Sequence, residues 1–94
     1  MSLEDEQSQL ARLIAAHPEL AHLQIRKHGQ SLILFSQDEY GPDNHVRFTR
    51  RDRSIWSLSF ALHTGRWDST PFEDSMPALF AMVLEQFPFY LAKR

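Results

Sequence analysis

The sequence predicts an α+β domain in which an antiparallel meander of four to five strands carries an N-terminal and a C-terminal helix on one face (α-β-β-β-β-α). Apolar residues recur at helical spacing up to Ala16 and again from Met76, and the stretch between alternates apolar and polar residues with the period of strands. The alternating runs are separated by short segments rich in Gly, Asp and Asn, which is the chemistry of turns.

Ser2 and Asp5 make a variant of the capping box, and Glu4, Asp5 and Glu6 suit the positive end of a helix dipole. Leu3, Leu10, Leu13 and Ile14 share one face of that helix. Pro18 disfavours helical geometry at His17, so the helix stops near Ala16, with one further short turn through Pro18 to Ala21. Leu23 and Ile25 then alternate with Gln24, Arg26 and His28 in a half-buried first strand, which also takes in His22. After a turn at Gly29 and Gln30, the run from Leu32 to Phe35 is apolar on both faces, so the second strand is central or has its outer face covered. Residues 36–44 read as turn throughout, dominated by Gly41, Pro42, Asp43 and Asn44.

Val46 and Phe48 point inward while His45, Arg47 and Thr49 point outward. A tight connection at Arg51, Asp52 and Arg53 leads to a strand with Trp56, Leu58, Phe60 and Leu62 on one face. Ser57, Ser59 and Ala61 on the other face leave a shallow trough, either solvated or covered by a partner. Both tryptophans, Trp56 and Trp67, are expected to be buried, the second at the sheet edge. The second helix has Asp74 or Ser75 as N-cap, Pro77 in its first turn, and Phe80, Val83, Leu84 and Phe87 on one stripe widened by Met76 and Leu79. Pro88 ends it and leaves Phe89, Tyr90 and Leu91 in a tail. With no repeat, low-complexity run or linker, residues 1–94 form one domain.

At 94 residues with 43% hydrophobic residues the chain has enough apolar material to fold, but a domain this small is marginal. The absence of cysteine excludes disulfides and thiolate zinc sites as helpers, and oligomerisation remains. The net charge of −2 and pI near 6.2 give no global basic field of the kind that marks a nucleic-acid binder. No apolar run is long enough to span a bilayer, and the acidic start lacks the pattern of a signal peptide, so the expected location is the cytoplasm.

The segment HTGRWDSTPF, residues 63–72, concentrates reactive residue types. Most of it has a structural account: Thr64 and Gly65 form a tight loop, Trp67 and Phe72 cover the sheet edge, and Thr70 with Pro71 leads extended into the helix. His63, Arg66 and Asp68 are left over, and they have the types of a general base, an anion clamp and an orienting carboxylate. No nucleophile accompanies them, and no known catalytic or nucleotide-binding motif is present. The run from Ile55 to Leu91 resembles small bacterial proteins of no assigned function, in which a Trp-bearing strand is followed by His-Thr-Gly-Arg-Trp, then Thr-Pro-Phe, then an apolar helix. That resemblance covers the C-terminal part of the chain; it implies a shared fold and carries over no activity.

The histidines are too dispersed for a metal site: His22 and His28 lie too far apart along a strand, although His45 is free to approach one of them. No metal or other cofactor is expected. Arg26 and Arg47 are placed on the outer face of the sheet, with Arg50, Arg51 and Arg53 at a hairpin tip, beside Ile33 and Phe35. That is the composition of a phosphate or single-stranded nucleic-acid surface, though charged hairpin tips also serve simply to keep sheets soluble. The apolar residues from Leu79 to Leu91 exceed what one helix face needs, and such surpluses mark interfaces. The expected function is therefore a non-enzymatic protein-interaction module, most simply a homodimer, with Phe80, Phe87, Phe89 and Tyr90 as interface candidates. A nucleic-acid-binding accessory domain using Arg26, Arg47, Arg50, Arg51 and Arg53 is the second reading, and a small enzyme centred on His63, Arg66 and Asp68 the third.

Overall fold

A computed structural model of the protein describes residues 3–92. Helix α1 (Glu4–Ala15) and a 3-10 turn (Pro18–Leu20) precede five strands, β1 (Gln24–His28), β2 (Ser31–Asp38), β3 (Gly41–Arg50), β4 (Trp56–Ala61) and β5 (Trp67–Asp74). Helix α2 (Met76–Gln86) and a second 3-10 turn (Pro88–Tyr90) follow the strands. The strands form one antiparallel sheet in sequence order, so the architecture is α+β with a five-stranded meander. The helices pack on one face, where Leu10, Ile14, Leu79, Phe80 and Val83 join Leu32, Leu34, Val46, Phe48, Trp56, Leu58 and Phe60 in a single core.

The local reasons agree with the sequence for most elements. At the start of α2 the Ser75 hydroxyl accepts from the Ala78 amide at 3.3 Å, and Pro77 occupies a first-turn position where no intrahelical donor is lost. The β4–β5 turn is closed by the Leu62 amide donating to the Arg66 carbonyl at 2.8 Å, with Gly65 at a φ of 87°. The loop thus holds residues 63–65, one more than the expected Thr64–Gly65 pair. Pro71 sits on β5, an edge strand, where the register with β4 shifts between Ser57 and Ser59; a residue without an amide hydrogen is tolerated there.

Several expectations are corrected. Residues 36–44 are not a long turn: β2 and β3 run on to Asp38 and from Gly41, leaving only Glu39 and Tyr40 between them. The Asp38 carboxylate takes the Tyr40 amide at 2.8 Å and Gly41 has a φ of 108°, so the turn needs only the Asp and Gly that the sequence supplies. His22 precedes β1 and is not on it. The Ser2 half of the capping box lies outside the described residues; Leu3 stands at the N-cap position of α1 and is fully buried. The tail after Pro88 folds back as a 3-10 turn that places Leu91 in the core.

Candidate functional site

The second face of the sheet carries no helix. By cross-strand register its central row runs Arg26, Ile33, Arg47, Ser59, Ser69 across the five strands. A flanking row holds Phe35 paired with Asn44, and Ala61 paired with Trp67. Although no other element among the described residues packs on this face, Ile33, Ser57, Ser59 and Ala61 are buried. The reason is lateral. Arg47 on β3 reaches across the small side chains of β4 and lays its guanidinium over the Trp67 ring of β5, 4.8 Å from the centroid. The trough left by Ser57, Ser59 and Ala61 is therefore filled from within the chain, by an arginine and an indole, and Trp67 is half-buried on the open face rather than sealed at the edge. At the other side of the sheet Arg26 lies over Phe35 at 5.4 Å and donates from Nη2 to the Asn44 amide oxygen at 3.3 Å.

Charge on this face is mainly cationic. Of the 12 Asp and Glu side chains, only Glu73 pairs into the open-face rows, opposite Ser57. Glu4, Asp5, Glu6 and Glu85 lie on the helices. Asp43, Asp68 and Asp74 pair with Ser36, Phe60 and Trp56, on the helix side. Neither Arg26 nor Arg47 forms an ion pair among the described residues, and Arg47 Nε is buried with no hydrogen-bond partner there. In the open-face rows the charged side chains are therefore Arg26 and Arg47 against Glu73.

The remaining candidates are dispersed. Arg50 points to the helix side, donating from Nε to the Asp52 carbonyl and standing 3.8 Å from the Glu6 carboxylate, so it does not join Arg26 and Arg47. Arg51 and Arg53 are exposed in the β3–β4 connection. His63, Arg66 and Asp68 are all exposed, and no hydrogen bond or ion pair among the described residues joins them. A depression of about 140 Å³ runs past Asp43, Asn44, Ala61, His63 and Trp67, without Arg66 or Asp68. A groove of about 430 Å³ between α1 and β1, lined by Gln7, Ser8, Ala11, Ile14, Leu23, Gln24 and Ile25, contains no titratable side chain.

His45 is corrected outright. The register slips between Leu34, opposite Val46, and Phe35, opposite Asn44, so His45 is a bulged residue with no cross-strand partner. The bulge turns its ring to the helix side, where it is fully buried. Nδ1 is 2.8 Å from the Tyr90 carbonyl, which only accepts, so that nitrogen donates. In the neutral ring Nε2 then accepts from the Ser36 hydroxyl at 2.8 Å. His22 donates from Nε2 to the Leu91 carbonyl at 2.7 Å, and the two imidazoles are 6.0 Å apart. The approach of His45 to His22 thus serves to tie down the C-terminal tail. Among the described residues no group of three His, Cys, Asp or Glu side chains is placed to hold a metal ion.

Of the interface candidates, Phe80 is 2% exposed in the core and has nothing left to offer a partner. Phe87 and Tyr90 are half-buried, with Tyr90 stacked on Phe60 at 4.0 Å between centroids. Phe89 is 63% exposed. Its ring meets those of Phe87 and Tyr90, while Glu19, Leu20, Leu84, Pro88, Leu91 and Ala92 line a mostly apolar groove of about 320 Å³.

No family model matches the chain, and no curated protein or solved structure is significantly similar to it. No helix among the described residues is long and apolar enough to cross a membrane.

Proposed function

We propose that the protein is a non-enzymatic homodimeric interaction module whose two copies meet at the patch around Phe89. The observation that carries this reading is the exposed Phe89 ring on a segment whose Pro88 and Leu91 help line an apolar groove. A projecting aromatic and a hollow on one patch are self-complementary. A two-fold axis through the patch lets each Phe89 enter the other copy's groove, which is the isologous arrangement of most small dimers. An aromatic anchor in a desolvated pocket is also the kind of residue that dominates interface energetics. Leu79, Phe80, Val83 and Leu91 serve the protomer's own core, and Phe89 is the apolar residue of this stretch left for a partner.

Light scattering at micromolar concentration tests it. The expected mass is about 22 kDa, twice the 11.0 kDa of the chain, with Phe89→Ser returning the mass to that of one chain while the thermal melt stays close to wild type. A wild-type mass of one chain removes the proposal.

A further inference from the structure

We propose that the open face of the sheet binds single-stranded nucleic acid, with bases stacking against the layered Arg47–Trp67 and Arg26–Phe35 pairs and phosphates meeting the guanidinium edges. This proposal rests on the sheet face and not on Phe89, so it stands or falls separately from dimerisation.

The face has the two components that sequence-tolerant single-strand binders combine, a cationic path and aromatic platforms. Each guanidinium carbon lies over an aromatic ring, 5.4 Å from the Phe35 centroid for Arg26 and 4.8 Å from the Trp67 centroid for Arg47, so each pair presents a cation and a ring together to an incoming base. Arg26 spends one donor on Asn44, and neither arginine forms an ion pair among the described residues, so donors of both guanidiniums other than the buried Arg47 Nε are left for an incoming acceptor. The two layers stand on β2 and β5, with β3 and β4 between them, a separation of roughly 14 Å at about 4.8 Å per strand. That span suits an extended strand with more than one base engaged, whereas a single small anion reaches only one arginine. Arg51 and Arg53 extend the cationic path to the β3–β4 tip. The tip lies at the same sheet end as the β1–β2 turn, because the Arg50 amide donates to the Gln30 carbonyl at 2.8 Å.

Charge complementarity selects the occupant. With Glu73 as the only carboxylate in the open-face rows, a second copy stacked face to face would oppose cation to cation. The face therefore fits an anionic partner. The paired planar layers favour one with bases, since an acidic peptide would use the arginine forks and leave the stacking surfaces idle.

The test uses the full chain and fluorescently labelled oligo-dT and oligo-U of about 15 nucleotides, near the upper end of single-domain site sizes. Expected are anisotropy-detected binding to one or both oligomers at low salt, steep weakening between roughly 50 and 200 mM salt, and quenching of intrinsic tryptophan emission that Trp67→Phe removes. A preference between the two oligomers would tell RNA from DNA as the natural ligand. Arg26→Gln with Arg47→Gln is expected to weaken binding by about tenfold or more and to flatten the salt slope by about 0.7 for each lost contact, while Arg12→Gln on α1 changes neither. Should the double variant unfold, Arg26→Gln alone, at an exposed position, carries the same comparison. Absence of binding at low salt overturns the proposal, as does binding indifferent to Arg26 and Arg47. Displacement by polyglutamate at equal charge concentration also overturns it, in favour of an acidic protein partner.

Discussion

Gly65 closes the β4–β5 loop at a φ of 87°, and a Cβ built there meets nothing within 4 Å. The demand is therefore on the backbone alone. Gly65→Ala is expected to cost about 1 kcal/mol or more through left-handed strain, or roughly 4–8 °C in Tm for a domain of this size. A melt superimposable on wild type would contradict it. This residue was legible because turn chemistry is local, and Thr-Gly between two strand-like runs is sufficient. His45 was not. Alternation placed it outward, and only a slipped register two strands wide turns it into the core, so the information lies in pairing and not in the run His45–Phe48. Its removal should be severe. His45→Ala leaves the Ser36 hydroxyl and the Tyr90 carbonyl without the ring that bonds both, each unsatisfied buried group costing about 1–3 kcal/mol. A thermal melt should fall by more than about 8 °C, well beyond the change from His63→Ala in the exposed loop.

Among the elements, α2 was read well because its cap, its first-turn proline and its apolar stripe all lie in one continuous stretch. Sheet order followed from short turns between consecutive runs. What escaped was the outer face, for a physical reason: Arg47 and Trp67 are 20 residues apart in the chain and meet only by crossing β4, so no window of sequence contains the pair. The small residues of β4 were visible as a trough, but its filling by neighbours on both sides was not. The pair has a spectroscopic consequence. Trp56 is 3% exposed in the core and should resist collisional quenchers, whereas Trp67 is shielded on its outer side largely by the Arg47 guanidinium. Acrylamide should therefore reveal two tryptophan classes, and Arg47→Ala should raise the accessibility of the outer class without altering the inner one. A single class in wild type, or no response to Arg47→Ala, would mean the guanidinium does not cover the indole in solution.

For the whole molecule, the segment after α2 decides whether the core closes. From sequence, an aromatic tail beyond the last helix looked like surface in search of a partner. In the structure most of it is part of the fold. Leu91 is 1% exposed, Tyr90 stacks on Phe60, and Phe87 packs against Phe60 and Phe72. The Tyr90 and Leu91 carbonyls receive the two histidines that anchor the segment to β3 and to the turn before β1. Deleting residues 87–94 removes a buried leucine, worth about 2–5 kcal/mol by comparison with Leu→Ala substitutions, and strips both imidazoles of acceptors at about 1–3 kcal/mol each. A domain of this length has only about 5–14 kcal/mol in total, at 0.05–0.15 kcal/mol per residue. The truncated chain is therefore expected to lose its cooperative melt and its near-ultraviolet circular dichroism at room temperature. Phe89→Ser removes only an exposed ring and its edge contacts with Phe87 and Tyr90, and should keep both. If the truncated chain melts as cooperatively as the full one, the tail is an appendage after all, and the whole Phe87–Leu91 segment, rather than Phe89 alone, becomes available to a partner.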